Sequence, residues 1–174
     1  KYRSDDFYLY GNIIEDETEI AFPIEELEES KFQLLPFPEE CPKLFCAFPM
    51  IGTSDFNFPV VVHSEKFVPN RERDGIEITD FDEENRERLV EAKIAFKRLL
   101  GIIQENEWTE AYNICHFTNP DINDAETKKW FVKEIFNPIK EGIYNTKLIE
   151  LDNSLELDEH RIALSSAYVP YADR

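Results

Sequence analysis

Three valines in a row, Val60-Val61-Val62, follow Pro59 and lead into His63. β-Branched side chains are stiff about χ1 and suit a pleated backbone, in which neighbouring residues point to opposite faces. A run with no polar member therefore predicts a strand buried on both faces and covered by helices. The rest of the chain has to supply its pairing partners and those helices.

Residues 6 to 24 predict a β-hairpin. Phe7, Tyr8, Leu9 and Tyr10 lead into the polar stretch Glu15-Asp16-Glu17, after which Thr18, Ile20 and Phe22 alternate as a strand requires. That alternation puts Tyr8 and Tyr10 on one face and Phe7 and Leu9 on the other. Apolar runs at Phe32 to Leu35 and Leu44 to Phe48 predict two more strands, with Pro36, Pro38 and Pro42 making the link extended and rigid.

The clearest helix is predicted over 81–100. Asp80 caps it with Glu83 three positions on, Leu89, Ala92, Phe96 and Leu99 form one apolar stripe, and Lys97, Arg98 and Gly101 mark its end. A second helix is predicted from Asp124 to Phe136, with Phe131 and Ile135 inward and Lys128, Lys129 and Lys133 outward, ended by Asn137-Pro138. Short strands at Leu148 to Leu151 and Arg161 to Leu164 close the chain. The order defines an α+β class: a mixed sheet with β-hairpins and two main helices. Residues 1–174 are read as a single unit, with an acidic hairpin and linker over 1–40, an α/β core over 41–145 and C-terminal strands over 146–174.

Charge then limits the partners. The chain has 174 residues, with 37 Asp and Glu against 19 Lys and Arg, a net charge of −18. That repels phosphate backbones and anionic lipid heads, so neither nucleic acid nor a membrane surface is an expected partner. The excess is regional: residues 1–40 hold 12 acids and 3 bases. At 42% apolar residues, a chain of this length buries roughly two thirds of its unfolded surface, which argues against disorder. No apolar run reaches the roughly 18–20 residues of a membrane-spanning helix. The first residue is Lys1 and the sole methionine is Met50, as expected of an excised or processed piece of a longer polypeptide. Three cysteines cannot all pair and no Asn-x-Ser/Thr sequon occurs, so a reducing cytoplasm is the expected location.

Five glycines, Gly11, Gly52, Gly75, Gly101 and Gly142, are scattered with no two within twenty residues. Phosphate cradles need clustered glycines, because backbone N–H groups must approach the oxygens without an intervening Cβ. A nucleotide pocket would therefore lie mainly on another segment.

Other constellations are weak. Cys41 and Cys46 are five apart, and Cys115-His116 are neighbours with no second half-site, so buried thiols and surface imidazoles are expected in place of a metal centre. His63-Ser64 lacks a nucleophile elbow and oxyanion-hole glycines. Carboxylate pairs are so abundant that a solvated face explains them, and an independent hydrolase built on one is the weakest functional reading. The most informative stretch is Val68-Pro69-Asn70-Arg71-Glu72-Arg73-Asp74-Gly75-Ile76, two arginines in a turn-like segment of an acidic chain. Neighbouring carboxylates would screen them in a purely structural turn. A guanidinium on a loop after a buried strand also matches an arginine finger, whose charge and planar fork fit γ-phosphate oxygens.

Leu44-Phe45-Cys46-Ala47-Phe48-Pro49-Met50-Ile51-Gly52, then Phe58-Pro59-Val60-Val61-Val62-His63, then Phe67 to Ile76 resembles the segment that follows the ATPase module in sacsin-like proteins, relatives of the GHKL ATPases and the ninety-kilodalton heat-shock chaperone. The likeness spans Pro42 to Ile78, with a looser one at Arg161 to Pro170. It implies a fold like the chaperone's middle domain, a ribosomal protein S-five domain 2-like arrangement. It also implies a non-catalytic transducer domain that supplies an arginine to the γ-phosphate of ATP and relays nucleotide state. ATP and Mg would be held by the chain's own upstream N-terminal ATPase domain, and protein clients are implied partners. By motif position the arginine is Arg73, with Arg71 second, because Glu72 separates two arginines that are adjacent in sacsin-like repeats. Asp121-Ile122-Asn123-Asp124-Ala125 resembles the GHKL Asn-x-x-Asp-Ala box, but it begins with Asp and has Phe117 where a glutamate belongs, so Asp121 or Asn123 is read as a helix N-cap. The alternative function is a protein-interaction module whose acidic surface binds a basic partner, with both arginines in a salt-bridged structural turn.

Overall fold

The computed structural model describes residues 9–28, 31–115, 120–146 and 148. They form an α+β arrangement of a five-stranded mixed sheet and two main helices of 23 and 20 residues. β1 (Leu9–Glu15) and β2 (Thr18–Glu28) make the expected hairpin, antiparallel from Leu9 opposite Ile24 to Glu15 opposite Thr18. Asp16 takes the left-handed position of its turn, with φ of 50°. Asp tolerates this because its short side chain can bond locally. Thr18, Ile20 and Phe22 are buried at alternate positions, and Tyr10 on β1 is exposed. The face expected for Phe7 and Tyr8 lies outside the described residues.

β2 runs past its expected end and is the strand on which the others assemble. One edge pairs with β1. On the other, Glu19 to Ala21 pairs antiparallel with β5 (Val61–His63), and Ile24 to Glu28 pairs with β3 (Lys31–Leu34). β5 also pairs in parallel with β4 (Leu44–Phe45), giving the order β1-β2-β5-β4. The three valines are all buried, as their composition requires. Val60 and Val62 join the main core, whereas Val61 is buried outside it.

Two expectations in this region are corrected. The proline-rich link is not simply extended: Cys41 N–H donates to Pro38 O at 3.2 Å, and Glu40 has φ of 58°. The strand expected from Leu44 to Phe48 stops at Phe45, because the chain folds back. Cys46 N–H donates to Phe48 O at 3.1 Å and Met50 N–H to Leu44 O at 3.0 Å.

Helix α1 (Glu83–Glu105) packs on β1 and β2 through the expected stripe of Leu89, Ala92, Phe96 and Leu99. It starts two residues later and ends five later than the sequence predicts. Asp80 does not cap it: the N-cap is Asp82, whose carboxylate turns back to accept from Thr79 N–H at 2.9 Å and Thr79 Oγ at 2.6 Å. Gly101 does not stop it, because Ile103 continues the buried stripe one turn further. Burial outweighs the roughly 1 kcal/mol helix penalty of one glycine. The end falls at Asn106, whose N–H donates to Ile102 O at 3.0 Å.

The second helix also outruns its prediction. α2 (Ala125–Phe131) passes through a π-helical turn (Val132–Phe136) into α3 (Asn137–Tyr144), which packs against α1. Pro138 was expected to end this helix, since proline clashes with the carbonyl four residues back. The widened turn passes that point, with Asn137 N–H bonded to Val132 O, and buried Ile139 and Ile143 hold the extension to the core. Its cap is Asp124, not Asp121 or Asn123: Thr127 N–H donates to Asp124 Oδ2 at 2.7 Å. Phe131 and Ile135 point inward and Lys128, Lys129 and Lys133 outward, as expected. The C-terminal strands lie outside the described residues apart from Leu148, which is buried. Among the described residues, no helix is long and apolar enough to cross a membrane.

Two outcomes test this packing. A Cβ at Gly11 would lie 2.4 Å from Phe22 Cε2, so Gly11→Ala should destabilise the fold by about 1–3 kcal/mol in urea denaturation. The hydrogen bonds from Thr127 hold the Asp124 carboxyl below its usual value of 3.8. A depressed carboxylate stabilises above its unfolded pKa and loses that contribution as pH falls through the folded one. The Thr127 amide shift should therefore move below about pH 4 in the native chain and stay flat in Asp124→Asn, which keeps a capping oxygen.

Candidate functional site

The arginine segment leaves the sheet directly after β5. Ser64 Oγ donates to Glu17 O at 2.7 Å, Phe67 is buried, and the chain then rises into a loop closed by the bridge between Pro69 and Ile76. Asn70 N–H donates to Gly75 O at 2.9 Å, and Arg73 N–H to Asn70 O at 3.1 Å. The Asn70 side chain fills the interior of the turn: its Nδ2 donates to Asp74 Oδ1 at 2.8 Å, and its Oδ1 accepts from Asp74 N–H at 3.2 Å and Gly75 N–H at 3.4 Å. Asn suits such a turn because its short side chain bonds to backbone groups close by in sequence.

The base of the loop is held by α1. Asn85 is 1% exposed; its Oδ1 accepts from Val68 N–H at 2.8 Å, and its Nδ2 donates to Val68 O at 2.9 Å and Glu77 O at 2.8 Å. One side chain thus joins both strands of the loop. A second tie runs to the segment after β4, where Gly52 N–H donates to Asp74 O at 2.9 Å. A Cβ at Gly52 would lie 2.8 Å from that same oxygen, so only glycine allows the approach.

Arg71 and Arg73 are both exposed at the loop tip. Arg73 has φ of 61°, a left-handed conformation that costs a residue with a Cβ roughly 1–2 kcal/mol. Its guanidinium carbon lies 5.9 Å from the Phe48 ring centroid. Neither arginine has a carboxylate within ion-pair distance among the described residues, and the other three described arginines all do. Arg86 contacts Asp80 at 2.7 Å, Arg98 contacts Glu15 at 2.7 Å, and Arg88 contacts Glu17 at 2.6 Å, Glu87 at 2.6 Å and Glu91 at 2.9 Å. The screening expected of a purely structural turn is therefore not seen at Arg71 and Arg73.

The remaining candidates serve the scaffold. His63 Nδ1 lies 3.7 Å from Glu19, whereas Ser64 bonds to Glu17 O and accepts from Lys66 N–H at 3.2 Å, so the adjacent pair faces different partners. Glu17 and Glu91 both contact Arg88, and Glu91 Oε2 accepts from Thr18 Oγ at 2.6 Å. Burial pushes the Cys115 thiol up to about 12 and raises that of Cys41, which leaves neither a ready thiolate. Among the described residues, no group of three or more His, Cys, Asp or Glu side chains is placed to hold a metal ion.

The sequence pattern marks Arg71 and Arg73 and does not single out Asn70 and Asn85, the asparagines that hold their loop. Asn85 had a signal: it lies four residues before Leu89 on the buried stripe, where a polar side chain needs a tertiary partner. No protein-family model, no curated protein and no solved structure matches the chain. The geometry separates the two kinds of residue experimentally. Asn85→Ala leaves three backbone groups without their partner and should cost about 2–4 kcal/mol in urea denaturation. Arg73→Gly relieves the left-handed backbone and should leave stability unchanged or raise it by up to about 1 kcal/mol.

Proposed function

We propose that this chain is a transducer domain resembling the middle domain of sacsin-like and GHKL ATPases, including the ninety-kilodalton heat-shock chaperone. In this reading Arg73, with Arg71 as second candidate two residues before it, reaches the γ-phosphate of ATP held with Mg by an upstream domain. The domain hydrolyses nothing alone and relays nucleotide state to protein clients. The observation that carries the reading is the exposure of both arginines without a carboxylate partner among the described residues, on a loop tied at its tip and its base, in a chain of net charge −18. A planar cation held ready for an external oxyanion suits phosphoryl transfer, where catalysis is mostly positioning and charge stabilisation. The motif series from Leu44 to Ile76 and the dispersed glycines agree with a nucleotide held elsewhere. The α+β architecture is compatible with a ribosomal protein S-five domain 2-like fold.

Exposed Glu26, Glu39 and Glu40, with no cation partner among the described residues, favour the second reading of an acidic protein-interaction surface. ATP turnover by the full-length chain decides between the two. Arg71→Ala combined with Arg73→Ala should lower kcat by about 10²-fold or more with KM for ATP unchanged. Equal turnover, with binding to a basic protein partner retained, would favour the interaction module.

A further inference from the structure

Five hydrogen bonds involve Asn70, and every one stays within residues 70–75. Asn70 touches none of the core elements through these bonds. The base of the loop is fixed independently, by Asn85 at Val68 and Glu77, and one bond from outside the loop, Gly52 N–H to Asp74 O, reaches the tip. Within the tip, the Asn70 side chain adds three bonds that shape the turn between residues 70 and 75. It gathers the amides of Asp74 and Gly75 onto one oxygen, and the turn so formed puts Arg73 at φ of 61°. That conformation is unfavourable for arginine and needs surrounding bonds to hold it.

We infer that Asn70 is the positioning residue of the arginine loop: its side chain holds the left-handed turn that presents the Arg73 guanidinium at one place on the surface. The inference rests on the proposed role of Arg73 and adds the residue through which that role is set. A floppy arginine would lose conformational entropy on meeting a phosphate, and a preformed turn removes part of that cost. Asn70 itself makes no contact with the anion. Because Asp74 Oδ1 accepts from Asn70 Nδ2, exchanging the two side chains rebuilds the pair: in Asn70→Asp with Asp74→Asn, residue 70 accepts and residue 74 donates.

Two readouts test this. In the chain as it stands, hydrogen exchange at the Asp74 and Gly75 amides should quicken about tenfold in Asn70→Ala and in Asn70→Asp alone, and return to within about threefold of the native rate in the exchanged pair. Amides in β5 and α1 should not change. In the full-length chain, Asn70→Ala should lower kcat for ATP hydrolysis about as far as Arg73→Ala with KM unchanged. The double variant should be no slower than Arg73→Ala, since one residue acts through the other. Unchanged exchange at Asp74 and Gly75, or losses that add fully in the double variant, would overturn the inference and leave the arginine reading standing. If Arg73→Ala keeps full turnover, the phosphate reading fails, and the exchange readout still decides whether Asn70 sets the loop.

Discussion

The buried guanidinium of Arg88 ties the first part of the chain to the helix that organises the rest. It sits on α1 and reaches Glu17 in the hairpin turn, 71 residues away in sequence, while Glu91 on the same helix accepts from Thr18 on the strand that follows. Taking such charges out of water is expensive, and removing one partner would leave another buried without compensation. The hairpin turn therefore has one favoured position against α1, and Arg98 bonding to Ile14 O and Glu15 fixes it a second time. With the turn set, the register of β2 is set, and β2 in turn receives β3 and β5 on its other edge.

The same helix carries the arginine loop. Asn85 precedes Arg88 by one turn, so α1 grips the loop base near its N-terminal end and the hairpin turn further along. A displacement of either would be felt at the other through a rigid stretch of helix about six residue steps long from Asn85 to Glu91, roughly 9 Å at 1.5 Å per residue. Under the proposed function this is a physical route from a phosphate contact to the sheet, carried by packed side chains and a helix. Part of the regional acidity has a matching explanation. Glu15 and Glu17 belong to the stretch of 12 acids and 3 bases over residues 1–40, and both neutralise arginines of α1.

Local pattern made the inner faces legible: the alternation of Thr18, Ile20 and Phe22, the stripe from Leu89 to Leu99, and the valine run all bury what their spacing says. The ends of elements were not legible, because tertiary burial decided them. Gly101 and Pro138 are stop signals in isolation, yet Ile103 in one case and Ile139 and Ile143 in the other recover enough apolar surface to carry the helix through. Asp80 and Asp82 look alike as caps, and only the fold sends Asp82 back to Thr79. The arginines stood out because cations on a turn in an acidic chain are conspicuous. Asn70 and Asn85 did not, since the value of an asparagine depends on which backbone groups the fold brings within its reach.

Net charge and the exposed arginines pull in opposite directions, and distance decides between them. Free ATP approaching a chain of charge −18 meets repulsion, which falls off over a Debye length of about 8 Å at physiological salt. Under the proposed function Arg71 and Arg73 would act only at contact, well inside that range. A loop of this kind is poorly suited to capturing an anion from solution. It is better suited to an anion already held by a tethered neighbour, because tethering sets an effective concentration around the millimolar range and removes the need for long-range attraction. A phosphate held by another domain of one polypeptide meets that requirement. Under the proposed function, the acidity of the surrounding chain would discourage free polyanions and leave the two arginines to a phosphate held by a tethered neighbour.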